Sequence, residues 1–203
     1  MSSTGAEGQK PDPLLGERFA RALALAVELH GEQARKGTAI PYLGHVLGVT
    51  SLVIDDGGSE DEIIAALLHD GPEDAGGERT LERIRDEFGG EVGRIVAACS
   101  DTFETPKPPW RERKERYLRH LEGARADELR VSLADKVHNA RAILADYRTH
   151  GEALWERFSG GRQGTLWYYR ALAEVFAERC SGPLAQELAR TVAELEALAD
   201  RSG

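Results

Sequence analysis

What the chain has little of narrows the possibilities first. Its 203 residues contain two cysteines, Cys99 and Cys180, which form no CxxC pair. That argues against a zinc ribbon or a redox dithiol and leaves both as buried free thiols. No apolar run exceeds six residues, in ALALAV and IIAALL, whereas a bilayer span needs about 20. The opening MSSTGAEGQKPDP lacks both a basic start and an apolar stretch. Residues 1–13 therefore read as a flexible polar tail rather than a signal peptide, and the chain is expected in the cytoplasm with no membrane partner. Positive charge is also in deficit, with 26 Lys and Arg against 35 Asp and Glu for a net charge of −9. Long-range attraction to nucleic acid is thus opposed, and no nucleic-acid partner is expected. Basic residues cluster only locally, in ARKG and in KPPWRERKERYLRH, and the second cluster reads as a solvated helix face.

Strand-type alternation and fixed-period repeats are missing too. What the chain does have is helical spacing. With 41% hydrophobic and 30% charged residues, it has the composition of a soluble globular protein and a length suited to one domain, expected over residues 14–203. Glycine and proline divide it into segments with apolar residues three and four apart, which predicts an all-α bundle of about ten helices. The expected ranges are 14–34, 43–54, 59–70, 80–87, 89–101, 109–123, 126–147, 162–180 and 183–201. In the first, Phe19, Leu23, Ala26, Val27 and His30 form the apolar stripe. Ser59 with Glu62 forms a capping box for the third, and Pro72 should end that helix near Asp70.

Polar groups on apolar stripes are the informative positions. His69 and Asp70 end the run IIAALL, Asp135 lies among Val131, Val137, Ile143 and Leu144, and His45 lies between apolar neighbours. Buried there, each costs free energy unless a partner satisfies it. A lone histidine of this kind is usually a hydrogen-bonded core residue. Two imidazoles and two carboxylates together make a nitrogen and oxygen donor set suited to divalent manganese, iron, zinc or magnesium.

The order H…HD…D resembles the HD superfamily of metal-dependent phosphohydrolases. More specifically, GEQARKGTAIPYLGH, AALLHDGPED and LADKVHNARAIL are similar, in order and spacing, to the hydrolase domain of RelA/SpoT-type enzymes and of stand-alone small alarmone hydrolases. The similarity extends over residues 17–180, including LWERF and LWYYRAL, and no synthetase segment follows within the 203 residues.

The resemblance implies that His45, His69, Asp70 and Asp135 hold one divalent ion, manganese by family habit. It further implies that Glu73 and Asp74 orient or deprotonate the attacking water. The implied substrate is guanosine with diphosphates on its 5′ and 3′ oxygens, cleaved at the 3′ position to release pyrophosphate. Arg35 would stack on the base and Lys36 meet phosphate. Asn139, one helical turn after Asp135, would face the same pocket. Tyr42 would line it, Tyr168 or Tyr169 would reach the ribose, and Lys107, Arg113 and Arg141 are further phosphate candidates. His45 is followed by valine where relatives often have proline. Gly71 and Pro72 interrupt the HD and ED pairs, so a broken helix would leave the acids' position open. Four other readings remain: an adenosine alarmone as substrate, removal of the NADPH 2′-phosphate, nucleotide sensing without turnover, or a structural scaffold in which these groups are core polar residues and hold no metal.

Overall fold

A computed structural model describes residues 15–100, 102 and 106–202, so the tail expected at 1–13 lies outside the described residues. The described residues form ten α-helices: α1 Glu17–His30, α2 Leu43–Asp55, α3 Glu60–Leu68, α4 Gly71–Asp74, α5 Glu78–Phe88, α6 Gly90–Cys99, α7 Trp110–Gly123, α8 Ala126–His150, α9 Gly161–Arg179 and α10 Pro183–Ser202. A 3-10 helix, Gly151–Arg157, joins α8 to α9. The fold is all-α. Among the described residues the one β feature is an isolated bridge between Ala34 and Pro41, and no described helix is long and apolar enough to cross a membrane.

The helix α3 shows why the molecule closes around its centre. Ser59 Oγ accepts the Glu62 N–H at 3.4 Å while Glu62 Oε2 accepts the Ser59 N–H at 2.7 Å, which is the capping box read from the sequence. From Glu62 to Leu68 every residue is buried, as in a helix enclosed on all sides. Helices α1, α2, α6 and α8 pack around it. Glu62 offsets the cost of its burial by pairing with Arg130 of α8, whose Nε also meets Asp56 at 2.9 Å. The 25-residue α8 is the spine, touching α2, α3 and α6 on one side and α9 and α10 on another.

Four local features depart from the sequence reading. Helix α1 stops at His30 rather than near residue 34, because residues 33–42 form a loop with its own backbone bonds, Arg35 N–H to Ile40 O and Tyr42 N–H to Gln33 O, both 2.9 Å. Its buried face is Ala22, Leu25, Ala26 and His30, whereas Val27 is 49% exposed; one residue's step turns a side chain about 100° around the axis. The segment LWERF belongs to the 3-10 helix and to Phe158 after it. Cys99 and Cys180 are free but only partly buried.

Candidate active site

Four helices bring the polar candidates together. His45 lies in the first turn of α2, His69 is the C-cap of α3, Asp70 is the N-cap of α4, and Asp135 lies midway along α8. Ligand atoms of His45, His69 and Asp70 all fall within 4.8 Å of one another. Asp135 Oδ1 approaches the two histidine Nε2 atoms at 3.3 and 3.8 Å but is not part of that mutual set with Asp70.

The donor directions fit a cation better than a closed hydrogen-bond network. His69 Nδ1–H donates to Ala66 O at 2.8 Å, which leaves the Nε2 lone pair facing inward. That Nε2 is buried without a hydrogen-bond partner, although Asp70 Oδ2 lies 3.0 Å away: close enough for an ion pair, out of line for a hydrogen bond. His45 Nδ1 meets His138 Nδ1 at 2.9 Å. The tautomer in which His45 donates there turns its Nε2 lone pair toward Asp70 and Asp135. Convergent imidazole nitrogens and carboxylate oxygens are the donor set of a divalent metal.

The charges follow from this crowding. Burial pushes the Asp70 carboxyl up, but the charge of His69 and the close approach of both histidine Nε2 atoms, at 3.0 and 3.4 Å, outweigh it and hold the group far below the carboxylate range. For Asp135, burial is likewise outweighed, first by Lys136, whose Nζ lies 2.5 Å from Oδ2. Burial pulls His45 and His69 down, but the two carboxylates raise both on balance. His138 goes the other way: burial, with the nearby His45 and Arg35 charges, lowers it to about 4.

The interrupted HDGPED stretch resolves into two helix ends. Pro72 occupies the opening turn of α4, where its missing N–H costs nothing. The Asp74 N–H bonds to Asp70 O at 3.0 Å, so the acid lies one helical turn beyond Asp70. The two acids then differ. Burial, followed by the Asp70 charge, raises the Asp74 pKa, while Glu73 Oε1 takes the Lys107 ammonium at 3.1 Å. Gly71 lets the junction pass close to α1, since a Cβ there would lie 2.9 Å from the Leu29 Cδ1 methyl, which would have to shift.

Beside this cluster opens a cavity of about 480 Å³, and Arg35, Lys36, Tyr42, Asn139 and Tyr169 all line it. Two of these residues join cavity to cluster: Tyr42 Oη donates to Asp70 Oδ2 at 2.5 Å, and Asn139 Nδ2 donates to Asp135 Oδ1 at 2.6 Å. Arg35 donates to Asn139 Oδ1 at 3.3 Å. Lys107 and Arg141 are outside the lining; Arg141 pairs with Glu187. Tyr168 is buried, with its hydroxyl turned away from any hydrogen-bond partner. In the basic α7 cluster, Arg111 and Arg116 pair with Glu115 and Glu112 on the same helix, and Arg113 Nε donates to Pro108 O at 3.1 Å.

Several further residues belong to this site. His138 lies three positions after Asp135, a spacing that shares a helix face, and so was legible in LADKVHNARAIL. Trp110, Asp146 and Arg157 also line the cavity but carry no local signal, since they converge only through tertiary packing.

Comparison with known proteins agrees with this geometry. A guanosine-3′,5′-bis(diphosphate) 3′-pyrophosphohydrolase MESH1 of Xenopus tropicalis is 37% identical over 125 residues, covering 60% of this chain and 67% of that protein. The Mus musculus protein of the same name is 31% identical over 170 residues, covering 78% and 92%. A similarly named Aquifex aeolicus enzyme is 34% identical, but the match spans only 18% of its length. Among solved structures, lmo0812 of Listeria monocytogenes superposes with a TM-score of 0.65 at 28% identity, covering 73% of this chain and 96% of that one. A metazoan SpoT ortholog described as hydrolysing ppGpp shares the fold, with a TM-score of 0.64 at 21% identity and coverage of 94% and 96%. A family model described as an HD domain matches residues 22–166, and the chain belongs to the HD-domain family.

Proposed function

We propose that the protein is a manganese-dependent hydrolase that removes pyrophosphate from the 3′ position of guanosine 3′,5′-bis(diphosphate). The observation that carries this reading is the junction of two features: a convergent His45, His69, Asp70 and Asp135 set, and a cavity lined by Arg35 and Lys36 that Tyr42 and Asn139 tie to it. The curated relatives named above carry that activity in their names. The same reading takes residues 14–203 as one cytoplasmic hydrolase domain without nucleic-acid or membrane partners.

A divalent ion held by the four ligands supplies a lowered water pKa and charge neutralisation at phosphorus. The rest falls to the chain. Arg35, braced by Asn139, offers a planar cation for stacking on the base, and Lys36 offers a point charge to phosphate. Asp74, whose pKa is raised by burial and by Asp70, accepts a proton from the attacking water. The water oxygen bonds to the phosphorus next to the ribose, the 3′ oxygen leaves and takes up a proton, and guanosine 5′-diphosphate and pyrophosphate result. Glu73 holds Lys107 beside the phosphate end.

Purified protein with manganese and this nucleotide should release pyrophosphate rather than orthophosphate, and chelator or Asp70→Ala should stop it. Failure to release pyrophosphate with any divalent metal would falsify the reading.

A further inference from the structure

One group in the cavity wall is out of keeping with a polyanionic ligand. Asp146 lines the cavity alongside Arg35, Lys36 and Arg157. A carboxylate aimed at phosphate would repel it, so Asp146 suits the part of the ligand that is uncharged and rich in donors. Its place along α8 agrees. Asp135 marks the metal end, Asn139 follows one turn later, and Asp146 lies 11 residues beyond Asp135, about 16 Å along the axis at 1.5 Å per residue. Arg35, bonded to Asn139, comes between. The cleaved phosphate belongs at one end of this row and the base toward the other.

Asp146 is also held in position. Its Oδ2 takes Arg157 Nη1 at 3.4 Å, and Arg157 itself runs over Gly37, with Cδ 3.4 Å from where a Cβ would be. A Cβ at Gly37 would only touch that arginine, but its φ of +75° would strain any other residue in the loop the arginine packs on.

We propose that Asp146 is a specificity-determining residue that reads the purine edge and selects guanine over adenine. This rests on the proposed function for the orientation of the ligand. Guanine presents N1–H and the N2 amino group as adjacent donors, and a carboxylate presents two acceptor oxygens to match. Adenine presents its N1 lone pair there, which sets acceptor against acceptor and leaves the carboxylate unpaired. An asparagine offers one acceptor and one donor, the pattern that complements adenine. Arg157 acts as a positioning residue for the acid.

The test compares wild type, Asp146→Asn and Asp146→Ala in the full chain, with circular dichroism to check folding. Two independent readouts are taken. One is kcat/KM for pyrophosphate release from the guanosine and adenosine 3′,5′-bis(diphosphates). The other is calorimetric binding of guanosine and adenosine 5′-diphosphates in the presence of chelator. Wild type should favour guanine in both. Asp146→Ala should lose about ten- to a hundredfold on guanine ligands alone, and Asp146→Asn should in addition gain on adenine. The inference is overturned if the guanine to adenine ratio is unchanged in both variants, if both bases lose equally, or if wild type binds neither diphosphate. If nothing is cleaved but the binding ratio shifts as stated, the hydrolase reading fails and base selection stands. If the nucleotide is cleaved but the ratio is unchanged, the hydrolase reading stands and base selection by Asp146 fails.

Discussion

At the scale of single residues, the two acids after the HD pair have unequal surroundings. Asp74 faces Asp70 and is pushed toward holding a proton by burial and that neighbouring charge. Glu73 is committed to Lys107 at 3.1 Å. A carboxylate whose proton affinity is raised is the stronger base. Asp74→Asn should therefore lower kcat by about 10²- to 10⁴-fold with metal content unchanged. Glu73→Gln should act mainly on KM, by loosening Lys107. Steady-state kinetics with elemental analysis on each variant would separate these effects, and equal losses in kcat would contradict the assignment. The pattern DxxED was readable from the sequence; the division of labour was not, because it depends on which cation and which carboxylate fold back against each acid.

At the scale of elements, the metal set depends on how closely α2 and α8 approach. Gly48 lies one turn after His45 in α2, and a Cβ there would fall 2.3 Å from His138 Nε2. The glycine is thus a notch that receives the imidazole, which in turn meets His45 Nδ1 at 2.9 Å. Partners of this kind fix the ring orientation of a ligand, and losing one typically costs 10- to 100-fold in metal affinity. Gly48→Ala should weaken manganese binding by about 10- to 100-fold in calorimetry while the protein stays helical. His138→Ala should do the same without steric intrusion. Unchanged affinity in both variants would mean that His45 needs no orienting partner. Helix identity here was legible from spacing and caps, as the Ser59 and Glu62 box illustrates. The short α4 was not, because proline reads as a terminator until the chain is seen starting a new helical turn through it.

At the scale of the whole molecule, stability, metal and pH are linked. In the metal-free protein, burial lowers His45 and His69 but the carboxylates outweigh it, so both fold with raised pKa values. A histidine raised on folding contributes stability that is complete below its unfolded pKa of about 6.5 and lost as pH rises through the folded value. Asp70 and Asp135, both lowered, remain ionised across that window and add no slope. Metal binding requires neutral imidazoles, so it releases protons and tightens as pH rises. The difference in Tm between manganese-loaded and chelated protein should therefore widen from about pH 6 to about pH 8. Scanning calorimetry at matched free metal tests this, and a gap that stays flat or narrows would show that the histidines are already neutral without metal.

By itself the sequence determined what local rules and periodicity can carry. These were the all-helical class, most helix positions, the Ser59 cap, and four metal-ligand candidates exposed as polar residues on apolar stripes. The resemblance to RelA/SpoT-type hydrolases, carried by contiguous motifs, supplied Arg35, Lys36 and Asn139 as substrate-binding candidates. Only the tertiary structure decided which side chains share a space. It turned α1 so that Val27 faces solvent, drew Lys107 to Glu73 and Arg141 to Glu187, and set Asp146 and Arg157 in the cavity wall. The physical reason is common to all of these: periodicity records which face of a helix is apolar, whereas a site forms from the ends and faces of helices distant in sequence, whose meeting is set by packing.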